Sequence, residues 1–207
     1  MPVYACNNEI TDVFYSGYTI VKIIGCNGQV VYNIGGRPVC DIPITRVITT
    51  GESWVNICDI NGDSAVTRSE VDLALTAEEF NNIRTVQIQN GCVEIGEDAF
   101  KGATSLTSIS NMGYDVTTIG NAAFSGCTSL TSPVYIGCNV SKIKSNAFKD
   151  CPQLTQIIVC PDVPPTLGSG AFDNTHNCPI YVPRAQVDVY KAASGWSAYK
   201  SRIEAAS

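Results

Sequence analysis

The sequence predicts an α+β chain whose larger part is a solenoid of 24-residue coils, preceded by a small β module and closed by a C-terminal helix. Three observations carry this. The pair Ala-Phe recurs at Ala99-Phe100, Ala123-Phe124, Ala147-Phe148 and Ala171-Phe172, at one constant spacing of 24. An aliphatic residue stands four positions before each Ala (Ile95, Ile119, Ile143, Leu167), and Leu106, Leu130 and Leu154 stand six after the first three Phe. Last, 207 residues at 44% hydrophobic and 15% charged make a folded chain with enough apolar mass for a core.

A unit of this length cannot bury its apolar set alone, so it must stack on copies of itself, and fixed positions become ladders along the stack. Phe is the largest of them and is expected to form a central stacked spine. Residues 140–143 and 154–158 read as short strands, with neighbouring coils about 4.8 Å apart. Segments such as 145–148 lead into a helical or 3₁₀ turn ending near Gly102, Gly126 or Asp150. Ile109, Pro133 and Ile157 share another register position, as do Ala103, Cys127 and Cys151.

The unit I-G-x-x-A-F-x-x-C-x-x-L-x-x-I is written here as Ile119-Gly120-Asn121-Ala122-Ala123-Phe124-Ser125-Gly126-Cys127-Thr128-Ser129-Leu130. It resembles the BspA-type leucine-rich repeat over about 100 residues. The resemblance implies a leucine-rich-repeat solenoid over residues 81–182 with a binding role. Such repeats are known from surface adhesins of anaerobic bacteria and from the phages that infect them. The end of the chain, Ile180-Tyr181-Val182-Pro183 followed by Val187, Tyr190, Trp196 and Tyr199, resembles the segment that closes such arrays. Residues 183–207 are therefore expected as a capping helix, with Val187, Tyr190, Trp196, Tyr199 and Ile203 on its apolar face.

Ahead of the repeats, residues 51–80 carry a second pattern. Counting Asp59 as position 1, oxygen ligands fall at Asn61, Asp63, Thr67 and Glu70, with the Ala65 carbonyl at position 7. This spacing wraps hard oxygens around calcium, and it resembles an EF-hand or dockerin loop. Ser64 stands where Gly makes the sharp turn, and a left-handed Ser costs about 1 kcal/mol. With one loop only, the expected role is a structural calcium clip on the cap of the repeats. The other reading is an Asx-rich turn leading, without metal, into a helix over 69–75. Residues 80–88 read as a degenerate first repeat.

The first fifty residues change period. Residues 9–17 and 19–28 align at ten residues, each β-rich and closed by a Gly or Asn-Gly turn, and a third strand starts at 30–32. This meander resembles short β repeats in structural proteins of tailed bacteriophages, which implies an anchor module over residues 1–50; an ordinary β cap is the other reading. Segment 37–57 reads as a linker with one strand around residues 46–48.

A net charge of −6 opposes a nucleic-acid partner. No run of eighteen apolar residues suggests a membrane span, and the first nine residues lack the basic and apolar regions of a secretory signal, unless Met1 follows a removed one. The cysteines at 6, 26, 40, 58, 92, 127, 138, 151, 160 and 178 contain no C-x-x-C pair, and His176 is the only histidine, which opposes a zinc cluster. Buried free thiols or a disulfide framework both fit. Catalysis finds no footing: His176 lies in a loop, Cys178 is only two residues away, and no G-x-S-x-G or phosphate-binding glycine loop occurs. The acids Glu94, Glu97 and Asp98 read as solvated at a coil edge.

The expected function is therefore non-enzymatic. An outward stripe of Thr117, Thr118, Ser141, Lys142, Thr155 and Gln156 would contact a host-surface protein or glycan. The first expectation is a virion component, such as a head fibre, capsid decoration or tail adhesin, held to other virion proteins through residues 1–50. The alternative is a bacterial cell-surface adhesin of the BspA type. Homo-oligomerisation is left open.

Overall fold

The computed structural model describes residues 10–16, 20–25, 30–34, 54–57, 65–75, 77–88 and 91–206. The β-rich N-terminal segment forms an antiparallel ribbon of β1 (Ile10–Ser16), β2 (Ile20–Gly25) and β3 (Val30–Ile34), with Val13 opposite Ile23 and Lys22 opposite Tyr32. Then follow β4 (Trp54–Ile57), β5 (Ala65–Val66), α1 (Arg68–Ala74) and α2 (Ala77–Asn81). From there each coil supplies one longer and one shorter strand. These are β6 (Thr85–Ile88), β7 (Glu94–Ile95), β8 (Ser108–Asn111), β9 (Thr118–Ile119) and β10 (Val134–Ile136). They continue as β11 (Lys142–Ile143), β12 (Ile157–Val159), β13 (Thr166–Leu167) and β14 (Ile180–Val182). The chain closes with α3 (Val187–Ala192), a 3₁₀ turn over Trp196–Arg202, and β15 (Ile203–Ala205).

Three walls enclose the core. The short strands stack in parallel as β5-β7-β9-β11-β13, and Glu94, Thr118, Lys142 and Thr166 are successive partners, so neighbours from β7 to β13 stand one full repeat apart. The longer strands form β4-β6-β8 and β10-β12-β14-β15. The third wall is the Ala-Phe turn. There the N–H groups of Phe100, Phe124 and Phe148 each donate to the Ala carbonyl of the next coil at 2.8 Å. Each turn needs two left-handed residues, found at Asp98, Ala122, Asn146 and Gly170 and again at Gly102, Gly126, Asp150 and Asn174. Gly, Asn and Asp reach that region at least cost, which explains why they dominate these slots. The Gly after Ile has a different use: a Cβ on Gly120 would lie 2.5 Å from the Gly96 carbonyl carbon, so its absence lets two coils meet backbone to backbone.

Inside, the four Phe rings stack along the axis with centroids 5.2, 5.2 and 5.9 Å apart, all fully buried. Beside them, the Cys127 and Cys151 thiols donate to the carbonyls of Phe100 and Phe124. The hydrogen bond with Cys151, then burial, pushes the Cys127 thiol up, which makes it an unreactive core group. Among the described residues Cys127, Cys151 and Cys178 are free, buried thiols, Cys92 is buried with its Sγ donating to the Glu94 carbonyl, and Cys138 and Cys160 form a disulfide. Both readings of the cysteines thus hold, at different places. Cys6, Cys26, Cys40 and Cys58 lie outside the residues whose side chains are described.

The C-terminal segment differs from the expected single capping helix. Tyr190, Trp196, Tyr199 and Ile203 are buried as expected, but they come from α3, the 3₁₀ turn and a strand. The helix stops because Ala193 is extended and Gly195 turns left-handed (φ 81) against the Leu167 carbonyl, where a Cβ would sit 2.6 Å away. Trp196 follows Phe172 by one repeat and continues the spine, its ring tilted at 5.9 Å from Phe172. The cap also satisfies what the last coil leaves open. The Phe172 N–H, lacking a further Ala carbonyl, donates to the Tyr199 hydroxyl; Tyr190 and Trp196 donate to the carbonyls of Pro161 and Pro165. Arg202 donates to the carbonyls of Cys178 and Phe172. Burial pushes Tyr190 well above its usual range and Tyr199 to about 12, so both stay protonated donors at neutral pH.

Both sheets begin before residue 81. β4 falls inside the segment expected as a linker, because Trp54-Val55-Asn56-Ile57 pairs in parallel with β6, Trp54 opposite Thr85 and Ile57 opposite Ile88. The strand expected around residues 46–48 lies outside the described residues.

Candidate binding surface

Side chains alternate across a strand, so a residue between two buried neighbours must face out. In β10, β12 and β14 the flanking residues are buried and the central ones are Tyr135, Ile158 and Tyr181. The register sets them in one row, Tyr135 beside Ile158, Ile158 beside Tyr181, and Tyr181 beside Glu204. Tyr135 is 56% exposed, and Ile158 and Tyr181 are half-buried. With strands about 4.8 Å apart, the two tyrosines stand about 10 Å from each other. Tyr114, on the neighbouring coil, is 72% exposed. Nearer the N-terminus the same face is polar, with Gln87 opposite Asn111.

The hydroxyl stripe expected from sequence serves another purpose. Thr117 donates to the Val93 carbonyl, Ser141 to that of Thr117, and Thr155 to that of Thr131 at 2.8 Å. Each hydroxyl stitches its coil to the one before it. Thr118 and Gln156 are half-buried, and only Lys142 of the stripe projects an exposed charge.

Of the expected calcium ligands, Asp59, Asn61 and Asp63 lie outside the described residues, and Glu70 is described by its backbone alone. Ala65 opens β5 and Thr67 accepts the Val71 N–H at its carbonyl, at the start of α1. Val66, the apolar position 8, is fully buried beside Ile95. A buried Val66 followed by α1 is common to the calcium-loop and the metal-free turn readings. His176 is exposed, while Cys178 is buried and its sulfur accepts from Arg202, so the two do not make a nucleophile and base.

What the sequence missed is the Tyr135, Ile158, Tyr181 row. The available signal was period-2 alternation within each strand, apolar-Tyr-apolar in two of the three.

Among the described residues no helix is long and apolar enough to cross a membrane. The fold resembles that of a leucine rich cell surface protein from Faecalibacterium prausnitzii A2-165, at 18% identity and a TM-score of 0.50. The likeness covers 91% of this chain and 41% of that one, so this chain spans less than half of its structural relative. No curated protein sequence matches. The model of the BspA type leucine rich repeat region matches residues 77–189 in 6 copies, which is more than half of the sequence and takes in the whole phenylalanine spine. The chain belongs to the BspA-type leucine-rich-repeat family.

Proposed function

We propose that this chain is a non-enzymatic adhesin of the bacterial cell surface, which binds a host protein or glycan through the outer face of β10, β12 and β14. The observation that carries this is the outward-facing row of Tyr135, Ile158 and Tyr181, with Tyr135 56% exposed, on one wall of the solenoid. Tyrosine brings large, rigid, amphipathic contact area at low entropic cost, and it is enriched in binding interfaces. The family match and the surface location of the structural relative both support display outside the cell. So does the Cys138–Cys160 disulfide, which belongs to an oxidising compartment. None of these observations favours the virion expectation. The ribbon β1-β2-β3 then serves as a tether rather than a contact to capsid or tail proteins.

Protease treatment of intact cells tests the display. Peptides from residues 91–206 should be released without lysis; recovering them only from purified phage particles would return the virion reading. For calcium, the reading stays a structural clip at Asp59, Asn61, Asp63, Ala65, Thr67 and Glu70. Added calcium should raise the melting temperature in calorimetry and a chelator should reverse it; an unchanged melt removes the clip.

A further inference from the structure

The outer sheet is broken in one place. β8 pairs with β6 and β10 pairs with β12, but β8 and β10 are not hydrogen-bonded neighbours. The cause is coil length. Val86 pairs with Ile109 and Val134 with Ile157, each step one residue short of the main repeat, whereas the step from Ile109 to Val134 is one residue longer than it. The surplus is taken up around Asn111-Met112-Gly113, where the register shifts and Gly113 turns left-handed (φ 77). Over this seam lies a hollow of about 410 Å³, within the usual range for small-ligand sites (about 300–1,000 Å³).

Its lining combines two properties. Ile109, Met112 and Ile136 give it an apolar floor, and the exposed rings of Tyr114 and Tyr135 rise beside it. Ser110 and Asn111 bring polar groups, and the interrupted ladder brings strand-edge backbone. Among the described residues, no charged one lines it. The walls are also braced. The exposed disulfide Cys138–Cys160 (Cα–Cα 4.6 Å) ties the loop after β10 to the loop after β12. The next residue, Asn139, donates from Nδ2 to the Tyr114 carbonyl at 2.9 Å. The Tyr114 loop is thereby held to β12 through Asn139 and the disulfide, which prepares the site before any ligand arrives.

We propose that this seam is a binding site for the neutral sugar ring of a hexose or N-acetylhexosamine. The inference rests on the adhesin reading and names its ligand class. A pyranose has a C–H face that packs on a tyrosine ring and a rim of hydroxyls that need donors and acceptors. The seam supplies both. An apolar side chain of a protein partner would fill the floor but leave the strand-edge groups dry and unpaired, which is costly. An anionic sugar would find no cation in the hollow and a chain of net charge −6 around it.

Saturation-transfer NMR on the full chain tests this, with the methyl glycosides of galactose, fucose, N-acetylglucosamine and N-acetylgalactosamine as probes and sialic acid as the anionic control. At least one neutral glycoside should receive saturation at its ring protons, and sialic acid should not. Affinity should fall about tenfold, the loss of one well-packed aromatic contact, in Tyr114→Ala and in Tyr135→Ala. It should survive in Tyr135→Trp, stay unchanged in Val163→Ser at an exposed residue outside the lining, and drop when the disulfide is reduced in the folded protein. Full affinity in the Tyr114→Ala/Tyr135→Ala double variant overturns the site. If no neutral glycoside binds while the chain still adheres to enzymatically deglycosylated host glycoprotein, the sugar site is overturned and the adhesin reading stands. If it adheres to neither form, both fall.

Discussion

Replacing Phe124 with Ala should destabilise the solenoid by about 3–5 kcal/mol, the range for emptying a large aromatic site in a core. Phe124 is fully buried between Phe100 and Phe148, with ring centroids 5.2 Å away on both sides. The cavity cannot collapse easily. The Phe124 N–H donates to Ala147 and the Phe100 N–H to Ala123, so the backbone spacing between coils is fixed by hydrogen bonds on each side. For a domain of this size each kcal/mol moves the midpoint by roughly 2–4 °C, so the melt should fall by roughly 10 °C. Phe124→Leu keeps most of the volume and should cost clearly less. Thermal unfolding followed by circular dichroism measures both. Equal melts for wild type and Phe124→Ala would mean the spine is not the core.

The second large effect is expected at the C-terminal end. Trp196→Ala removes a fully buried ring that closes the spine, packs edge-on against Tyr190 at 4.9 Å, and donates from Nε1 to the Pro165 carbonyl at 2.7 Å. The loss adds a cavity to an unsatisfied buried acceptor, again about 3–5 kcal/mol. Its location should differ from that of Phe124→Ala. In a repeat array each coil leans only on its neighbours, so the last coil should loosen first. Hydrogen exchange should therefore rise over residues 180–206 before it rises over residues 94–130. Trp196→Phe restores the ring without the hydrogen bond and should recover most of the protection. Uniform exchange along the chain in Trp196→Ala would contradict a local cap.

The contrast between these ends shows which parts of the fold the sequence could carry. The inner ladders repeat residue type at one spacing, so Ile119, Phe124 and Leu130 and their equivalents are legible as a core in the sequence alone. The cap was legible in its residues but not in its elements. A helical face and a ladder at the repeat spacing both place Tyr190, Trp196 and Tyr199 indoors, and only Gly195, a left-handed residue pressed on the Leu167 carbonyl, decides against one helix. The outward row escapes the sequence for a related reason. Tyr135, Ile158 and Tyr181 recur one residue short of the main period, because the outer strands step differently from the inner ones. Their identities also alternate, so no self-comparison at the main period exposes them. The hydroxyl stripe misled because Thr117, Ser141 and Thr155 do repeat, but what repeats in them is a bond between coils. Cys138 and Cys160 share no register at all, and only the folded loops bring them together.

Adhesion is the most direct measure of whether the outer sheet is the working face. Purified chain should be retained on immobilised mucin glycoprotein or collagen, and the Tyr135→Ala/Tyr181→Ala variant should melt at the same temperature, since both rings stand outside the core. Its retention should fall by roughly 10- to 100-fold, the loss expected when two aromatic anchors of an interface are truncated. Equal retention by the folded variant and the wild type would contradict the assignment of this face.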